Sequence, residues 1–224
     1  MAGIPLIYEE RTGSHPLVQA FWRAEARGGA YGVPPDACWD IIWTSSGGKT
    51  DIVLAGTMTA THTVEFPAGT RFLGVRFKTG VRLQGMDPAR TIDQDIALAS
   101  RSARRFWLDG IPFDLPNYEN IDGFVSKLER HKLISRDEIV RKVMEGESAL
   151  LSKRSVQRHF ARHVGLPWAF IRQIQRAEQA AAWLAAGIAP SQVAATAGFA
   201  DQAHMTRELK RLFRMTPGQI RTHM

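Results

Sequence analysis

The chain has a single cysteine, Cys38, among 224 residues. A lone thiol excludes an internal disulfide and any zinc site built on cysteines. It fits a reducing compartment, where Cys38 reads as a small buried hydrophobe. No run of about 18 apolar residues occurs, and no basic stretch leads into an apolar one near Met1. Neither a membrane span nor a secretory leader is therefore expected, and the expected location is the cytoplasm. His15 and His62 are the only histidines before Gly80. The segment His62-Thr63-Val64-Glu65 does not supply the clustered histidines of a metal site. There is no glycine-rich phosphate loop ending in Lys-Ser/Thr and no nucleophile elbow. No metal, cofactor or catalytic residue is expected.

What is present is an ordinary globular composition, 44% hydrophobic and 23% charged, with a net charge of +7. The location of that charge says more than its size. Met1 to Leu133 carries 15 Lys+Arg against 15 Asp+Glu, and Ile134 to Met224 carries 14 against 7. A neutral first part joined to a basic second part is the footprint of a protein whose C-terminal half meets polyanions, since neutralising phosphates supplies most non-specific affinity for DNA.

The first part opens with Met1 to His15, a tail or first edge strand. Short runs rich in Val, Ile, Phe, Trp and Thr follow, broken by Gly and Pro: Leu17–Ala24, Ala37–Thr44, Asp51–Ala55, His62–Phe66 and Arg71–Thr79. They predict an antiparallel sheet or small barrel. After Gly80 the pattern predicts helices at Ile96–Trp107 and Ile121–His131, with Ile111 to Pro116 as a stiff connection. The domain boundary falls near Leu133, giving segments 1–133 and 134–224. Beyond it Ser135 would cap a helix from Arg136 to Glu145, with Asp137 and Glu138 in its first turn. The fold class is α+β: a β-rich first domain with helices, then an all-α second domain.

The second part reads twice as a short helix, a turn and a basic helix. In the first unit Ser152 caps a helix whose buried side is marked by Val156 and Phe160, leaving Arg154, Gln157 and Arg158 together on the other side. Arg and Gln carry the paired hydrogen-bonding groups that match guanine and adenine in the major groove. In the second unit Ser191 and Asp201 are the caps and Gly198 the turn. Met205, Leu209 and Phe213 form a core stripe, so Gln202, Thr206, Arg207, Lys210 and Arg211 face solvent or DNA. Trp168 to Ala186 joins the units as one continuous helix, with Gly187 just past its end. Arg172 and Arg176 on this helix are expected to hold the units together or touch phosphate.

These residues resemble the double helix-turn-helix domain of the AraC/XylS family of transcription regulators. The matching signature includes Ser152, Gln157-Arg158, Phe160, Gly165, Pro167, Arg176, Ala194, Gly198-Phe199, Asp201-Gln202, Arg207, Phe213, Thr216-Pro217 and Arg221. The resemblance implies double-stranded DNA as partner, with Arg154, Gln157, Arg158, Gln202, Thr206, Arg207 and Arg211 in contact with it, and RNA polymerase as a second partner if the protein activates. Ala203, Met205 and Leu209 depart from the usual residues and bear on packing of the second reading helix. Pro34 to Trp43 and Phe72 to Phe77 look like strands of the family's cupin-like sensor barrel. That likeness implies a domain that binds a small-molecule effector, or one that serves only in homodimer assembly. A cupin-type enzyme tethered to DNA is a third reading, and the missing metal ligands count against it.

An effector would have Trp22, Trp39, Trp43, His62, Phe72 and Arg76 as its candidate contacts, because ligand cavities are lined by aromatics with a few convergent polar groups. Core packing is the competing role for the same aromatics. Strand alternation places Trp39, Ile41 and Trp43 on one face and Asp40 and Ile42 on the other, so the candidates cannot all line one cavity.

Overall fold

The computed structural model describes residues 6–13, 15–98, 100–102, 105–147 and 152–223. Nine strands lead the chain: β1 (Leu6–Thr12), β2 (Val18–Ala26), β3 (Gly29–Val33), β4 (Asp40–Ser46), β5 (Lys49–Ala55), β6 (His62–Phe66), β7 (Arg71–Phe77), β8 (Val81–Leu83) and β9 (Asp95–Ala97). They build a six-stranded antiparallel sheet in the order β1-β2-β7-β4-β5-β9, and β3 and β6 form a separate two-stranded ribbon. The expected barrel thus takes the form of a sheet and a ribbon, whose residues line a common cavity. The first fifteen residues hold an edge strand, β1, paired along its length with β2.

The other face of the sheet carries the core. Phe21, Ile41, Val75 and Phe77 are fully buried there, against Phe106, Phe113, Ile121 and Leu128. Those partners come from β11 (Arg105–Leu108), β12 (Ile111–Asp114) and helix α1 (Ile121–Arg130), with β10 (Ser100–Ser102) pairing beside β11. Two expectations are corrected here. Ile96–Trp107 is not a helix but lies across β9, β10 and β11, and Ile111 to Asp114 is a strand rather than a connection. The reason is the Asp109-Gly110 pair, both residues at positive φ (49° and 76°), which folds β11 back onto β12 as a hairpin. Pro112 fits because β12 is an edge strand of its sheet.

The C-terminal part is helical: α2 (Glu138–Met144), α3 (Lys153–His163), α4 (Trp168–Ala185), α5 (Pro190–Thr196), α6 (Gln202–Phe213) and α7 (Pro217–His223). The linking helix α4 runs unbroken over 18 residues, as its composition requires. Two caps differ from expectation. Ile134–Arg136 is a strand, β13, paired with β8, so the next helix starts later and is capped by Asp137, whose carboxylate accepts the Val140 N–H at 2.9 Å. Helix α5 starts at Pro190, which needs no N–H partner at its first position, so Ser191 does not cap. The segment after Leu133 therefore hydrogen-bonds directly to the first domain. Among the described residues no helix is long and apolar enough to cross a membrane.

Candidate nucleic-acid interface and ligand cavity

Helix α3 begins as the sequence implies, with Ser152 Oγ accepting the Ser155 N–H at 3.1 Å. Val156 and Phe160 are buried, which turns Arg154, Gln157 and Arg158 outward. None of these three makes a hydrogen bond or ion pair with a described residue. Three unpaired polar side chains one helical turn apart form a row free to meet base edges and phosphates. Helix α6 is capped by Asp201, which accepts the His204 N–H at 2.6 Å. Met205, Leu209 and Leu212 are its buried stripe, while Gln202 and Arg207 are exposed and unpaired among the described residues. Thr206 donates its hydroxyl to the Gln202 carbonyl at 2.8 Å, inside its own helix. Arg211 is braced on α4, with Nη2 donating to Gln173 Oε1 at 3.0 Å and the guanidinium over the Phe170 ring.

Arg176 on α4 is committed inward. Its Nη2 donates to Glu208 Oε2 at 2.7 Å, and its guanidinium lies 4.5 Å from the centre of the Phe199 ring. Arg172 is exposed. The first unit has a polar clasp that the sequence did not reveal. Asp137 Oδ2 lies 2.9 Å from His159 Nδ1 and 3.3 Å from His163 Nε2, so one carboxylate holds the start of α2 against two successive turns of α3. Burial pushes the Asp137 carboxyl up, but the Val140 N–H and His159 outweigh it and hold it below the usual range. Burial holds the His163 imidazole below its usual value.

Between the sheet and the ribbon lies a cavity of about 350 Å³. Of the candidate effector contacts, Trp22, His62, Phe72 and Arg76 line it. Trp39 and Trp43 do not. Trp43 is packed edge-on against Phe106 and Phe124 in the core, and Trp39 stacks on Phe77 while donating Nε1–H to the Val81 carbonyl at 2.6 Å. The alternation along β4 separates them: Asp40, Ile42 and Thr44 face the cavity and Trp39, Ile41 and Trp43 face away.

The polar focus of the cavity is a cluster around Arg76. Its Nε and Nη2 donate to Asp40 at 3.2 and 3.3 Å, Asp40 also accepts the Trp22 Nε1–H at 2.8 Å, and Asp36 Oδ2 stands 3.5 Å from Arg76 Nε. Burial and the neighbouring Asp40 push the Asp36 carboxyl up to about 7, against the pull of Arg76. Burial likewise raises Asp40 and the Cys38 thiol. Asp36, Tyr8, Tyr31 and Asp95 also line the cavity. They escaped sequence reasoning because strand alternation assigns residues to faces without telling which face is concave.

The first domain and the helical part are in contact at several places, one of which borders the cavity. Gly56 and Met58, from the segment joining β5 to β6, and His62, the first residue of β6, line the cavity, and Thr61 in that segment donates its N–H and its hydroxyl to the Leu212 carbonyl of α6 at 2.7 and 3.1 Å. Away from the cavity, Gly165, between α3 and α4, packs on the 3-10 turn Pro88–Arg90, where an added Cβ would meet the Pro88 carbonyl at 2.8 Å.

Among solved structures the chain is similar to ToxT from Vibrio cholerae O395, at 10% identity over 98% of this chain and 99% of that one, with a TM-score of 0.45. It is also similar to unsaturated fatty acid bound wild-type ToxT from Vibrio cholerae strain SCE256, at 10% identity over 95% and 93% of the two chains, with a TM-score of 0.41. No curated protein matches. Residues 147–223 match the family described as helix-turn-helix domain. That span contains α3 to α7 with both candidate reading helices, and the paired motif, the linking helix and the family match agree: residues 147–223 are a DNA-binding helix-turn-helix domain of the AraC type.

Proposed function

We propose that the protein is a sequence-specific transcription regulator, not an enzyme, whose N-terminal domain binds a small-molecule effector in the cavity between sheet and ribbon and passes its occupancy to the reading helices. It would work in the cytoplasm on promoter DNA, with RNA polymerase as partner where it activates. Arg154, Gln157 and Arg158 on α3, with Gln202 and Arg207 on α6, would make the base and phosphate contacts. Thr206 and Arg211 would contribute from the flank of α6 once their internal bonds rearrange.

One observation carries the reading: a single short segment, residues 56–62, both lines the cavity and hydrogen-bonds the α6 backbone through Thr61. An occupant displacing Met58 or His62 would move the support of a reading helix without any new contact to DNA. The test begins with duplexes enriched from a random pool by the full chain. Filling the cavity with Ala55→Trp or Val64→Trp should change affinity for the enriched sequence while leaving weak, salt-sensitive binding to random DNA in place. Unchanged affinity in both folded variants would reduce the N-terminal domain to assembly alone.

A further inference from the structure

Taking the cavity as the effector site, the charges in its wall sort the ligands it would accept. Among the described residues, Asp36, Asp40 and Asp95 line it against a single Lys or Arg, Arg76. Arg76 is already divided between two carboxylates, so an anionic ligand would have to compete with both for it. Asp40 is filled by Arg76 and the Trp22 indole. Asp36 is not. Its Oδ1 takes the Cys38 N–H at 3.2 Å, and among the described residues its Oδ2 has only the 3.5 Å approach of Arg76. The unfilled acceptor of the cluster is thus a carboxylate, and the surrounding wall is aromatic: Tyr8 stacked on Trp22, Phe66 edge-on to Phe72, and Tyr31. Carboxylate and aromatic faces together are the chemistry that recognises organic cations.

We propose that the cavity takes a small organic amine, its ammonium group on the Asp36 carboxylate and its apolar body among Trp22, Tyr31, Phe66 and Phe72. The proposal rests on the cavity being the effector site and adds the charge of the ligand. It also fixes a pH dependence. Asp36 is faced by Asp40 on β4, Arg76 on β7, the adjacent Cys38 and, from the linking helix, Glu178, with Tyr8, Asp95 and His62 on the same wall. The Asp36 carboxyl, raised to about 7 by burial and by Asp40, holds a proton below that pH, and an ammonium group must displace it. Amine affinity should therefore rise by about tenfold from pH 6 to pH 8, while a neutral ligand's should not.

The experiment is calorimetric titration of the full chain with phenylbutylamine, phenylbutanol and phenylbutyrate, which share one body and differ in head charge. The amine is expected to bind at least about tenfold tighter than the alcohol at pH 8, with the acid weakest. Asp36→Asn keeps the acceptor for the Cys38 N–H and should lower the amine to the alcohol's affinity and flatten its pH profile, leaving the alcohol unchanged. Asp36→Ser, checked for an unaltered melting temperature, should repeat that result. An acid that binds tightest, an amine no better than the alcohol, or an amine preference surviving both variants overturns the ligand class and leaves the cavity reading standing. Amine binding that persists in both Ala55→Trp and Val64→Trp lies outside the cavity and also overturns it. If none of the three compounds binds, the cavity reading falls together with the proposal.

Discussion

The two helix-turn-helix units are built on different principles. The second has an apolar core of its own: α5 and α6 are joined by five residues, 197–201, and the buried Ala177, Ala180, Leu184, Val193, Met205, Leu209, Leu212 and Ile220 are drawn from α4 to α7 alone. The first is built into a seam. Eight residues, 145–152, separate α2 from α3, and its cluster of Val140, Val143, Val156, Phe160 and Ile171 is completed by Ala37 and Ile92 of the sheet domain. Polar contacts supplement the apolar ones, through the Asp137 clasp on His159 and His163. One reading helix is thus supported mostly by the DNA-binding part itself, the other partly by the domain that bears the cavity.

Removing the sheet domain should separate the units most sharply. In a fragment lacking Met1 to Leu133, amide hydrogen exchange should stay slow in α4, α5 and α6 and become fast in α3, with DNA binding weakened and confined to one short block of bases. Equal protection of α3 and α6 would mean that the seam contributes little to the first unit. Next in size is a break between the units. Proline at Gln179, an exposed position inside α4, should cost at least about 3 kcal/mol of helix stability, and footprinting should show two protected blocks losing their fixed phase of roughly 10 bp.

Arg158→Ala should weaken binding to the enriched duplex by about 1–3 kcal/mol and relax the choice of one base, as read by competition among single-base variants. An equal loss on random DNA would make Arg158 a phosphate contact. The smallest effect is expected from Asp137→Ala, which removes a helix cap and should cost about 1–2 kcal/mol in thermal or denaturant unfolding, with faster exchange confined to α2 and α3. Acid should act on the same clasp. Because folding holds the His163 pKa down, its contribution is intact at neutral pH and is lost as pH falls below about 6.5, while that of Asp137 persists until below about 4. Exchange in α3 should therefore quicken on mild acidification before exchange in α6 does.

Helices α3 and α6 were legible in the sequence because each rule involved is local. A cap at Ser152 or Asp201 and apolar residues four apart constrain one helix and need no knowledge of its neighbours. The long linking helix was legible for the same reason. What failed involved competition. Ile96 to Trp107 has helix-forming composition, but Asp109-Gly110 makes the hairpin that wins, and Pro112, which reads as a connection, is tolerated by an edge strand. Trp39 and Trp43 have the chemistry of effector contacts, but the alternation along β4 puts them on the core side. The Asp137, His159 and His163 clasp brings together residues 22 and 26 positions apart, through a fold that no local pattern specifies.

The Thr61 contact has a particular economy. Leu212 is the penultimate residue of α6, so its carbonyl is one of the last four in the helix, which have no intrahelical donor. The cavity segment satisfies that carbonyl with two hydrogen bonds and takes nothing from the helix's own ladder. When the segment withdraws, water can replace it at the helix end, and each bond exchanged is worth only about 0.5–1.5 kcal/mol. Latched and unlatched forms separated by so little would both be populated, and a ligand with modest preference for one would be enough to redistribute them.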